Sequence, residues 1–211
     1  MKAPFPALIG PAAAALAAAR RLASDRDRLA ILLDGDPGIG KTAALDQLAH
    51  EIAGNAFSIE HVNGQSLSVD LVRQWRERSH YGNLFSEWTV KRVDEIDSAS
   101  SSAIAELLTF LDYLPAHLAI LATTNEYAKL RAQSKGRLET RFHRLQVEAP
   151  SLEETTAHLV KAYKLPKAIA QQIARGAVPD GCLATAGCNM RAAIKDAETY
   201  KAATQHGRAA A

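Results

Sequence analysis

Eight consecutive residues, Gly35-Asp36-Pro37-Gly38-Ile39-Gly40-Lys41-Thr42, carry the densest chemistry in this chain. They satisfy G-x-x-x-x-G-K-T, a pattern whose glycines let backbone N–H groups converge on a phosphate. The helix that follows turns its positive end to the same anion. Lys41 can reach β- and γ-phosphates, and the Thr42 hydroxyl can hold Mg²⁺. A glycine-rich turn can match by chance. The flanks argue otherwise, with an apolar run before the loop and helical spacing after it.

Such a loop needs a second acidic site for metal and water. Val93-Asp94-Glu95-Ile96-Asp97 offers one. Asp94 at a strand end can contact Mg²⁺ through water, and Glu95 can orient and activate the attacking water. The alternative is a plain acidic surface turn.

The elements that must position these groups are legible as alternating runs. Leu29–Leu33 is continuously apolar, as a strand buried on both faces is. Strands are also expected over Phe57–Val62, Trp88–Val93, Leu118–Thr123 and Leu145–Val147. Helices are expected from Pro11, then over Thr42–Ala53, Val69–Ser79 and Ile104–Tyr113. After Pro150 only helical signals remain: Leu152–Tyr163, Pro166–Arg175 and Asn189 to about Gln205. Ser151 and Glu154 suggest a capping box at the first of these. The expected fold is α/β: a P-loop NTPase core with a parallel five-stranded sheet over 1–150, then a small all-helical lid over 151–205. Residues 206–211 read as a disordered tail.

Composition narrows the class. At about 150 residues per domain, 211 residues make one domain or a domain with an appendage. Alanine supplies 41 of them, which favours helix over an all-β fold. The charges, 25 Lys+Arg against 23 Asp+Glu, exclude a global polyelectrolyte field, so any nucleic-acid contact must be local. Cys182 and Cys188 fit no metal or redox spacing, and a disulfide framework is excluded. This predicts a reduced, intracellular, cytoplasmic setting. The apolar stretch Pro11–Ala19 is too short to span a bilayer and lacks signal-peptide flanks. No membrane role is expected.

Several separate blocks, over about residues 4–200, resemble the AAA+ ATPases. Within them the chain is similar to the small subunits of replication factor C type clamp loaders. Leu8-Ile9-Gly10 resembles the segment that packs on adenine, and Asp36–Thr42 the Gly-Pro-Pro-Gly-Thr-Gly-Lys-Thr loop. Val93–Asp97 resembles Walker B, and Thr123-Thr124-Asn125 sensor 1. Thr140-Arg141-Phe142 resembles the arginine-finger block. Gly187-Cys188-Asn189-Met190-Arg191 is similar to Gly-Gly-Asp-Met-Arg, with Arg191 as sensor 2.

The resemblance implies ATP and Mg²⁺ as ligands. Asn125 and Arg191 would sense the γ-phosphate, and Arg141 would act on a neighbouring subunit's nucleotide in a ring or filament of like subunits. Arg137 competes for that finger role. DNA or a DNA-bound protein is the implied partner: Arg73 and Arg76 share a helix face, and with Ser98, Ser100 and Ser101 they could meet a phosphate backbone. A solvated face explains the same arginines. Trp75 between them reads as core rather than a stacking residue.

Two departures stand out. Lys91 and Arg92 lie inside the third strand, where they must either pair with acids or sit near an exposed face. The chain also stops where a clamp loader's collar domain would begin. Two other functions stay open. One is a remodeller of protein clients, with Tyr81-Gly82 as a weak pore-loop candidate. The other is a slowly hydrolysing, nucleotide-gated scaffold.

Overall fold

The computed structural model describes residues 7–24, 28–81, 85–178 and 187–209. Gly82, Cys182 and the tail residues 210–211 lie outside them. Among the described residues the chain divides into two compact units, and neither is continuous in sequence. The first takes Ala15–Gly35 and Lys41–Gln146; the second takes Ala7–Ala14, Asp36–Gly40 and residues from Val147 onward. The expected single cut at 150 differs from this interleaving.

In chain order the elements are α1 (Gly10–Ser24), β1 (Leu29–Asp34), α2 (Lys41–Ala53), β2 (Ile59–Asn63), α3 (Val69–Arg78), β3 (Thr89–Asp94), α4 (Ser101–Asp112), β4 (Leu118–Thr124), α5 (Tyr127–Gln133), β5 (His143–Gln146), α6 (Leu152–Tyr163), α7 (Lys167–Gly176) and α8 (Met190–Ala209). Single 3₁₀ turns lie at Ala56–Ser58, Gly64–Ser66 and Ile96–Ser98. The first unit holds one sheet in the order β2-β3-β4-β1-β5, with every paired strand parallel. β1 and β4 are buried along their whole length, so their sequences run apolar with no alternation. β5 is an edge strand with alternating half-buried and exposed positions, His-Arg-Leu-Gln. That pattern explains why an apolar search places it two residues late. α5 escapes such a search because only Leu130 of its seven residues is buried.

The core of the first unit runs through Leu32, Val72, Trp75, Val93, Ile104, Phe110, Ile120 and Leu130. Trp75 is fully buried and its indole N–H donates to Glu60, 2.8 Å away. The two cations of β3 are also buried, and each is paired. Lys91 Nζ donates to Glu60 at 2.6 Å. Arg92 bonds Asp46 of α2 and, at 3.1 Å, Asp94. Burial pushes the Glu60 carboxyl up, but the bonds from Lys91 and Trp75 outweigh it and hold the group below its ordinary value. So β3 is a central strand, and its charges are tolerated by pairing rather than by exposure.

The second unit is helical around Leu159, Leu165, Ala170, Ala174, Cys188, Ala193 and Ala197. The capping box at Ser151 and Glu154 closes both ways: Glu154 N–H donates to Ser151 Oγ, and Ser151 N–H to Glu154 Oε2. Gly187 lies so close to Ala149 that a Cβ would fall 2.4 Å from its carbonyl oxygen. Backbone bonds then carry Cys188 N–H to Pro150 and Asn189 N–H to Ala177. α8 keeps helical backbone to Ala209, four residues past the end expected at 205. No helix among the described residues is long and apolar enough to cross a membrane.

Candidate functional site

The phosphate-loop candidate joins β1 to α2. Gly38 and Gly40 have φ of +83° and +103°, conformations that a side chain would strain. Asp36, Pro37 and Thr42 are exposed, whereas Ile39 is buried. Lys41 opens α2 with a buried side chain, and its ammonium donates to the Gly35 carbonyl at 2.7 Å and to Asn125 Oδ1 at 2.8 Å. Ile9 and Gly10 lead into α1 beside Glu154, and Gly10 is left-handed at φ +49°.

The parallel sheet brings the ends of β3 and β4 to the same edge as the end of β1. Asn125 follows β4 directly. Its amide spans two groups, accepting from Lys41 and approaching Glu95 Oε1 at 3.5 Å. Glu95 is exposed and left-handed, with φ +52°. Three contacts fix its backbone. Its N–H donates to Thr123 Oγ1 at 3.0 Å, and its carbonyl accepts from Ser98 Oγ at 2.7 Å. Gly64 packs so close that a Cβ would lie 2.1 Å from that carbonyl oxygen. Held this way, the Glu95 carboxylate projects from a rigid turn.

Asp94 ends β3 and is held from two sides. His61 Nε2 lies 2.8 Å from Oδ2, and Arg92 donates to the same oxygen at 3.1 Å. Its other oxygen, Oδ1, meets the Thr123 hydroxyl only at 3.5 Å. Sequence reading assigns His61 nothing. It also misses Asp97, whose carboxylate accepts from the Thr124 hydroxyl at 2.7 Å and the Asn125 N–H at 3.1 Å. Asp97 ties the turn after β3 to the end of β4 and so sets where Asn125 stands. Its place in the Val-Asp-Glu-Ile-Asp run is the signal that points to it.

The other expected residues fall into separate groups. Arg141 is turned onto its own chain: it donates to Asp112 at 2.9 Å and to the Arg137 carbonyl at 2.8 Å. The Arg141 hydrogen bond holds the Asp112 carboxyl below its ordinary value. Arg137 is exposed, and its side chain makes no hydrogen bond or ion pair among the described residues. Arg73 and Arg76 both approach Glu106 of α4, at 3.7 and 3.2 Å. Ser100 caps α4 through Ala103 N–H, and Ser101 is its exposed first residue. Arg191 is exposed in the first turn of α8, and its N–H donates to the Gly38 carbonyl at 3.1 Å. Within the first unit the structure thus gathers Lys41, Asp94, Glu95 and Asn125.

Residues 31–145 match the family described as "ATPase family associated with various cellular activities (AAA)". This chain belongs to that family. A comparison with curated proteins finds no match. Among solved structures, a DNA polymerase III gamma subunit-related protein of Thermotoga maritima superimposes with a TM-score of 0.56 at 15% identity, over 85% of this chain and 70% of that one. A point mutant of RuvB from Thermotoga maritima superimposes with a TM-score of 0.64 at 19% identity, over 90% of this AAA chain and 62% of that one. At such identities the likeness is one of fold. Proteins of the AAA family bind nucleotide, and the fit of this chain to that role lies in its own loop. Two left-handed glycines precede an exposed Thr42, and a buried lysine is aimed along the loop.

Proposed function

We propose that the chain binds and hydrolyses ATP at interfaces between like subunits, as a clamp-loader-like switch acting on DNA or a DNA-bound assembly. The observation that carries this reading is the Asn125 amide, which accepts from Lys41 and reaches Glu95. Lys41, read as the phosphate-binding cation, and Glu95, read as the base, thus meet one polar side chain.

The roles follow from the chemistry. The backbone N–H groups of residues 38–40 and Lys41 would hold the β- and γ-phosphates. Ile9 and Gly10 would pack on adenine. Thr42 and Asp94 would hold Mg²⁺, which when bound neutralises charge on the phosphate oxygens. Asp94 suits an indirect hold through water, because His61 and Arg92 already engage one of its oxygens. Glu95 would orient the attacking water and take its proton. Arg191 would report on the γ-phosphate, and Arg141 or Arg137 would serve a neighbour's site. Support for DNA as partner comes from the likeness to a protein related to a DNA polymerase III gamma subunit. It also comes from Arg73, Arg76, Ser98, Ser100 and Ser101, which cluster around the start of α4 and the helix packed on it.

The test is ATPase rate against protein concentration, with and without primed DNA, for the wild type and Lys41→Ala. The expected result is a rate per subunit that climbs with concentration, rises with DNA and vanishes in the variant together with nucleotide binding. Undiminished binding by Lys41→Ala would overturn the loop assignment. A rate indifferent to DNA would move the partner to protein. That second reading draws on the exposed aromatics Phe57, Tyr81 and Phe85, and Tyr81→Ala would then abolish client remodelling.

A further inference from the structure

A loop that turns its N–H groups toward an anion must send its carbonyls elsewhere. In the second unit the carbonyls of Pro37 and Gly38 have specific destinations. Asn189 Nδ2 donates to Pro37 O at 3.2 Å, and the Arg191 N–H donates to Gly38 O at 3.1 Å. Both donors stand at the start of α8. The Arg191 N–H is one of the first-turn donors that a helix leaves without an internal partner. Asn189 is at the same time the cap of α8, its Oδ1 accepting from the Ala192 N–H at 3.1 Å. A Cβ on Gly38 would fall 2.3 Å from Asn189 Oδ1, so any other residue there would have to displace the Asn189 side chain at a strained φ of +83°.

We infer that Asn189 is a positioning residue that latches the phosphate loop. Its oxygen starts the helix, and its amide N–H holds the Pro37 carbonyl away from the phosphate side, so the loop's donors are preorganised. The role needs an amide: a serine caps a helix about as well but is too short to keep the second bond, and an ionised aspartate has no proton to donate. This inference rests on the reading of 35–42 as the nucleotide loop.

The two functions of Asn189 separate by substitution in the full chain. Asn189→Ser keeps the cap acceptor and removes the latch. We expect ADP affinity to fall roughly 3- to 10-fold, as loss of one hydrogen bond of ordinary net strength allows. KM for ATP should rise while kcat holds. Backbone amides of residues 36 and 38–40 should exchange faster with deuterium, while the thermal midpoint falls by less than in Asn189→Ala. Asn189→Ala, which removes both functions, should lower the midpoint further. If Asn189→Ser binds ADP as the wild type does and its loop amides exchange at the same rate, Asn189 is only a cap and the inference is overturned. Should the wild type itself bind no nucleotide, the assignment of the loop fails. Faster loop exchange in Asn189→Ser would still establish the latch.

Discussion

Arg141 and Arg137 stand one helical turn apart in sequence and differ sharply in what they touch. Arg141 is committed to Asp112 and to the Arg137 carbonyl, whereas Arg137 is exposed with its side chain unbonded among the described residues. To act on a neighbouring nucleotide Arg141 must leave Asp112, an exposed partner whose attraction salt screens. Arg141→Ala is therefore expected to spare nucleotide binding and lose turnover only if that exchange takes place on assembly. If Arg137→Ala has this effect and Arg141→Ala does not, the finger is Arg137. Paired nucleotide titrations and steady-state rates decide it. Glu95→Gln keeps the shape of the side chain and removes its basicity, so it should bind ATP at wild-type affinity and turn over at least 100-fold more slowly. At this scale the candidate loop stood out in the sequence, because its glycines, lysine and threonine fall within eight residues. Asp97, His61 and Gly64 were not. Each acts on a residue that the sheet alone brings near: Asp97 on Asn125, His61 on Asp94, Gly64 on Glu95.

At the scale of the element, β3 holds the most informative conflict. A central strand with Lys91 and Arg92 looks wrong by pattern, and the structure resolves it with carboxylates from two other elements, Glu60 of β2 and Asp46 of α2. Removing one partner of such a buried set leaves the others uncompensated. Arg92→Leu should cost about 3 kcal/mol of stability by urea unfolding, because the buried Asp94 loses its Arg92 bond, whereas the part-exposed Asp46 is left to water. A cost under about 0.5 kcal/mol, the range of an ordinary surface change, would show that the pair is solvent-screened. β1 and β4 were readable as strands because full burial makes them uniformly apolar. β5 and α5 were harder because half-exposed edges and short helices carry weak periodicity. Arg92 pairing with Asp46 could not be read at all, because the partners are 46 residues apart in sequence.

At the scale of the whole molecule, the order of strands and helices was legible, whereas the interleaving of the two units was not. The second unit draws residues 7–14 from before the first unit's described span and 36–40 from inside it. Its own contacts depend on them: Gly10 packs on Glu154, and Pro37 accepts from Asn189. A fragment of residues 147–211 should therefore show helix by circular dichroism without a cooperative thermal transition. A sharp, reversible transition in that fragment would mean that the helices suffice by themselves.

That residues 36–40 belong to the helical unit also bears on how such a chain can diversify. A recombination event at the strand–helix boundary near 146 would import a foreign α8 while keeping the native Pro37 and Gly38 carbonyls. Unless the incoming helix began with a donor in the place of Asn189, the exchanged protein would carry an intact nucleotide motif on an unlatched loop. With the proposed latch, α8 and residues 36–40 are heritable as a pair, although 152 residues of sequence separate Pro37 from Asn189.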